Sequence, residues 1–128
     1  VKNRQKTGID YRTANGYFVR NDVAEHGFFS EKITDSLRFA ELFGMAATMD
    51  TRPSNIDFAN EFIAAIVLPV TDTTTVIRPD SIIWSGSETE VYYSIETGSK
   101  QSYTIRPCFL IIISLQYYVA FTAIHTSH

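Results

Sequence analysis

Asp50, Asp57 and Glu61 are the acidic residues that gather around a single loop in this sequence. Carboxylates at such spacing can bind Ca²⁺ through hard oxygen ligands or divide the work of general acid and base. Asp57 also has a structural use, because it follows Asn55-Ile56 and is placed to cap a short helical turn. Cys108 is the single cysteine, which excludes an intramolecular disulfide and a cysteine-built zinc site. Set between Pro107 and Phe109 at the head of an apolar run, it is expected to be a small buried hydrophobe, not an activated nucleophile. His26, His125 and His128 are the only imidazoles. The last two stand three apart on a terminal strand or tail, where they do not converge on a metal. A Ser-His-Asp set can be drawn around His26, but no spacing supports it. The six glycines are isolated, so no phosphate-cradling loop is present. No catalytic set, metal or cofactor is expected.

What remains is surface recognition. Trp84 ends a strand beside Ser85-Gly86-Ser87, and Tyr92, Tyr117 and Tyr118 lie on neighbouring strands. Exposed Trp and Tyr give large, rigid contact area at low entropic cost; buried, they fill the edge of a core. Thr71-Asp72-Thr73-Thr74-Thr75 reads as a polar hairpin tip that could offer backbone groups to a partner's cleft. The expected protein-binding residues are therefore Thr71, Asp72, Thr73, Thr74, Trp84 and Tyr92. The alternative is a small molecule or glycan held in a curled sheet lined by Trp84 and the tyrosines.

These residues need a scaffold, and the composition supplies one. The chain has 128 residues, 45% of them hydrophobic, with 11 Lys and Arg against 14 Asp and Glu. That length fits one domain with a core large enough to need no staples. Weak net acidity argues against nucleic acid as the main partner. Residues 1–15 hold Lys2, Arg4, Lys6 and Arg12 against Asp10 and contain no apolar run. They are expected to form a flexible tether ahead of a single domain over residues 16–128. A tether following a removed upstream segment suits a periplasmic, cell-surface or secreted protein, with a lipid anchor upstream as one means of attachment.

One principal helix is expected over residues 35–47. Phe39, Leu42, Phe43, Ala46 and Ala47 follow the spacing of one helical face, Thr34 is placed as N-cap, and Gly44 can end the helix. Nearly everything else reads as strand. Phe62–Leu68 and Cys108–Ile113 are apolar on both alternating faces, which demands central strands covered on each side. Val91, Tyr93 and Ile95 alternate with polar residues, as in a half-exposed strand. Ser85-Gly86-Ser87, Thr97-Gly98-Ser99 and Thr71-Asp72-Thr73 are expected hairpin turns. Pro107–Ile124 carries no charge, yet its β-branched residues and central tyrosines predict two strands joined around Leu115–Tyr117, not a membrane-spanning helix. The expected fold is α+β: a mainly antiparallel sheet, curled or two-layered, with one helix.

Ile33-Thr34 leading to Phe39 and Leu42-Phe43-Gly44, then Asp57-Phe58, Phe62-Ile63-Ala64-Ala65-Ile66, Arg106-Pro107 and Leu110-Ile111-Ile112-Ile113 form an ordered series. With it, residues 28–124 resemble the C-terminal domain of the PrcB family, accessory subunits of bacterial surface protease complexes. The chain departs from that pattern in its middle hairpin, where Thr71–Thr75 stands in place of a Gly-Gly-Tyr segment. The resemblance implies an extracytoplasmic, non-catalytic partner of another protein, such as a protease. It carries over no functional residue.

Overall fold

The two doubly apolar runs pair with each other in the computed structural model. It describes residues 7–23, 27–46, 53–84, 88–117 and 120–125, the last segment by its backbone. Strand β6 (Glu61–Val67) runs antiparallel to β9 (Cys108–Ser114), from Glu61 opposite Ser114 to Val67 opposite Cys108. They form the centre of a four-stranded sheet in the order β2-β9-β6-β4, with β2 (Arg12–Thr13) and β4 (Phe29–Ile33) at its edges.

Because strand side chains alternate, this sheet feeds two separate cores. Ile63, Ala65, Val67, Leu110 and Ile112 join Ile33, Phe39, Leu42 and Phe43 on one side. Phe62, Ala64, Ile66, Phe109, Ile111 and Ile113 join Ile82, Val91 and Tyr93 on the other. The first core is closed by helix α1 (Ser36–Leu42) and by a two-stranded sheet of β3 (Tyr17–Val19) and β5 (Phe43–Met45). Phe39 anchors it, edge-on to Tyr17 at 4.9 Å and stacked on Phe43 at 5.3 Å.

The second core is closed by another four-stranded sheet, ordered β1-β7-β8-β10. Its strands are β1 (Thr7–Gly8), β7 (Thr71–Trp84), β8 (Glu88–Ile105) and β10 (Ala120–His125). β6 leads into β7 and β8 into β9, so both sheets share one long two-stranded ribbon folded back on itself. The fold line lies at residues 68–70 and 106–107, where the Leu68 N–H donates to the Pro107 carbonyl at 2.8 Å. The Arg106 guanidinium also donates to the Leu68 carbonyl at 3.0 Å. The sheets are not closed into a barrel, and the fold is α+β.

Several local expectations are corrected. The helix ends at Leu42 and does not reach residue 47, because Phe43 turns into extended backbone and carries its ring into the core from a strand. Its N-cap is Asp35, not Thr34: the Asp35 carboxylate accepts the Arg38 N–H at 2.8 Å. Gly44 does not terminate a helix in the left-handed region; it lies opposite Phe18 in β5, and Gly16 is the only described residue with positive φ. Residues 7–14 are not a tether. Thr7 and Gly8 pair with Trp84 and Ile83, Arg12 and Thr13 pair with Ile112 and Ile111, and Ala14 is buried.

The expected turns at Thr71-Asp72-Thr73 and Thr97-Gly98-Ser99 are both strand. Across the β7–β8 ladder Thr71 and Thr73 lie opposite Ile105 and Lys100, while Thr97 lies opposite Thr75, and register shifts there absorb the extra residues of β8. Ser85-Gly86-Ser87 lies outside the described residues. Leu115–Tyr117 is a single 3-10 turn that carries the chain from β9 across to β10. β10 runs parallel to β8. No described helix is long and apolar enough to cross a membrane.

Ile111 is wholly buried at the centre of the β6–β9 ladder. Ile111→Ala is expected to lower unfolding free energy by about 2–5 kcal/mol through lost burial and an unfilled cavity. Urea denaturation checks this, with the midpoint shifted and the slope unchanged.

Candidate functional site

The carboxylates closest to a catalytic arrangement are held in structural roles. Asp57 caps the turn ahead of β6: its side chain accepts the Ala59 N–H at 3.1 Å and the Asn60 side-chain amide at 2.7 Å. Its carbonyl accepts the Asn60 and Glu61 N–H groups. Glu61 accepts both the Asp57 N–H at 3.1 Å and the Arg12 guanidinium, at 3.0 and 2.9 Å to its two oxygens. The Arg12 hydrogen bond holds the Glu61 carboxyl below its ordinary range. Arg12 reaches the Asn55 carbonyl as well, at 3.3 Å. The constellation ties β2 to the entrance of β6. Asp50 lies outside the described residues, and no cluster of three metal-ligating side chains occurs among those described.

Cys108 packs against the first core, and burial pushes its thiol up to about 11. At neutral pH it is therefore a protonated, weakly nucleophilic group. His26 and His128 fall outside the described residues, while His125 pairs by its backbone with Tyr93 in the β10–β8 ladder.

The aromatic candidates separate. Trp84 packs edge-on to Tyr117 at 5.2 Å, and Tyr117 in turn packs against the second core. Its indole N–H is shut off from solvent with no acceptor among the described residues, while the side chain as a whole is half-buried. Tyr92 is half-buried on the outer side of β8, where its hydroxyl donates to Glu90 at 3.2 Å. Tyr118 lies outside the described residues. Thr71–Thr74 sit at the opposite end of β7 from Trp84, about 33–43 Å along the strand at ordinary strand rise. The six expected residues thus do not form one site.

What the structure gathers instead is the far half of the ribbon. β1 pairs only with Ile83 and Trp84 of β7, and β10 only with Glu88–Tyr93 of β8. Beyond those positions both edges lack a strand partner among the described residues. Thr74, Val76 and Arg78 alternate outward while Thr73, Thr75 and Ile77 turn inward. Arg78 pairs with Glu96 at 2.8 Å, and Lys100 lies 3.7 Å from Asp72. Tyr103 and Val76 are more than half exposed. Gly98 is required by close approach, since a Cβ there would collide with the Thr74 hydroxyl.

Arg78, Glu96, Lys100, Val76 and Tyr103 were absent from the sequence expectation. The sequence signal available for the β7 part was the β-branched run Thr73–Ile77, which favours strand. Two described cavities, of about 480 and 440 Å³, are lined respectively by ribbon residues such as Arg78, Ser94 and Glu96 and by Phe29, Glu31 and Arg38 near the helix. Neither is lined by Trp84, Tyr92 or Tyr117. In comparisons with known proteins, no family model, curated protein or solved structure matches the chain.

Two measurements follow from this geometry. Glu61 is depressed in the folded state, so its contribution to stability is full above its unfolded titration range and is lost as pH falls through the lower folded value. Glu61→Gln is expected to flatten the acid limb of a stability-versus-pH curve measured by thermal melting. Iodoacetamide at mildly alkaline pH is expected to modify Cys108 at least about tenfold more slowly in the folded protein than in denaturant. Mass spectrometry reads that difference.

Proposed function

We propose that this is a non-catalytic protein-interaction domain that presents the exposed half of the β7–β8 ribbon to another protein. The observation that carries the reading is the β7 edge over Thr71–Pro79, which has no strand partner among the described residues, next to an outward face that sets Val76 between Thr74 and Arg78. Unpaired strand edges offer a row of N–H and C=O groups to an added strand, and the side chains beside them select the partner. Structural use of Asp57, Glu61 and Cys108 supports a binding role over a catalytic one. With the resemblance to PrcB C-terminal domains, the proposal extends to an exported accessory or inhibitory partner of a protease.

Photo-crosslinking in the native source tests it. A crosslinking residue at Val76 or Tyr103 is expected to give a discrete adduct with a second protein, and one at Ser30 on β4 is expected to give none. Equal labelling from all three positions, or none from the ribbon, would overturn the reading.

A further inference from the structure

The β7 edge carries a self-complementary charge pattern, and we propose that it pairs with the same edge of a second copy. The inference takes the ribbon as the binding element, as above, and names the occupant of one of its edges. Between Thr71 and Pro79 the strand follows Thr71-Asp72-Thr73-Thr74-Thr75-Val76-Ile77-Arg78, rich in β-branched residues and free of glycine. Such a run favours strand addition. The β8 edge is the poorer template. The ladder slips there between Thr97 and Lys100 and again between Lys100 and Ile105, and bulges of that kind block orderly pairing.

A two-fold axis through Thr75 sets Asp72 of one copy opposite Arg78 of the other, twice. It also sets Thr74 opposite Val76, which is 51% exposed and gains an apolar neighbour. Within each chain Lys100 already lies beside Asp72, and Glu96 beside Arg78. Across the joined sheets the row then reads Lys100, Asp72, Arg78, Glu96, with charges alternating in sign throughout. Register is specified as well, because moving the axis to Thr74 or Val76 separates Asp72 from Arg78 and loses both opposite-charge pairs. Pro79, which lacks an N–H, ends the run. Thr73 is held ready for the exchange. Its N–H donates to the Thr71 hydroxyl at 3.1 Å and its carbonyl accepts the Thr75 hydroxyl at 2.9 Å. Both hydroxyls can rotate away when a second strand supplies the same bonds.

Sedimentation velocity across the micromolar to submillimolar range tests the pairing. The parent chain is expected to dimerise, and Asp72→Lys or Arg78→Glu alone to weaken association roughly tenfold or more, by opposing like charges twice. An equimolar mixture of the two variants is expected to recover the dimer, because both cross-pairs become opposite in charge. Circular dichroism confirms that each variant is folded. A parent chain that stays monomeric, a dimer indifferent to the reversals, or a mixture that fails to recover would each overturn the inference. Loss of self-pairing with a foreign adduct retained at Val76 or Tyr103 would leave the broader reading intact. A charge-dependent dimer without such an adduct would separate the two in the other direction.

Discussion

The ladder between β6 and β9 is the constraint on which the remaining architecture depends. Its main-chain groups satisfy one another, but its side chains are apolar on both faces, so neither face can be left to water. Each isoleucine buried there contributes about 1.5–3 kcal/mol relative to exposure. One face is covered by the helix and the β3–β5 pair. The other is covered by continuations of the same two strands, folded back across residues 68–70 and 106–107. The small side chains of Ala64 and Ala65, one on each face, leave room beside the larger residues of both covering layers.

Folding the ribbon back has a geometric consequence. β6 and β9 are 7 residues each, whereas β7 and β8 are 14 and 18. Only part of the longer pair is needed to cover the shorter one, and Ile82, Val91 and Tyr93 supply the buried contacts. The surplus meets that core only through the half-buried Ile77 and Ile95. Its sequence accordingly changes to threonine, serine and paired charges, which tolerate solvent on the outward face. The unequal lengths of the two strands are taken up as register shifts, and those fall in the surplus half and at Pro79/Ser81.

The central strands could be read in the sequence because a strand apolar on both faces has few alternatives, and the inward residues of the helix because their spacing repeats. The helix end could not. Phe43 satisfies helical spacing from Phe39, and it satisfies burial equally well from an extended strand; the structure adopts the second. The pairing of residues 7–14 escaped detection for a different reason. Two-residue strands such as Thr7–Gly8 and Arg12–Thr13 are too short to show a period, and their partners lie about a hundred residues away in the case of β9. Thr71–Thr75 and Thr97-Gly98-Ser99 were misread because turn-forming residues also suit a solvent-facing ribbon, where Gly98 is needed for close approach to Thr74. The candidate site was missed with them, since its charged residues become neighbours only once those segments are strands.

The ion pairs that secure the cores and those on the proposed recognition surface consequently occupy different parts of the chain. Arg12, Glu61 and Asp57 sit where the cores are assembled and secure the start of β6. The pairs Arg78–Glu96 and Lys100–Asp72 sit on the exposed ribbon, where an ion pair contributes only about 0–1 kcal/mol to folding. Charges with so little effect on folding can change without endangering the cores. Under the proposed edge pairing their positions would still select the register, since a slip of two residues loses both opposite-charge pairs. With no strand partner for that edge among the described residues, the proposed association would be set by its outermost charges, while the buried ladder sets the structure.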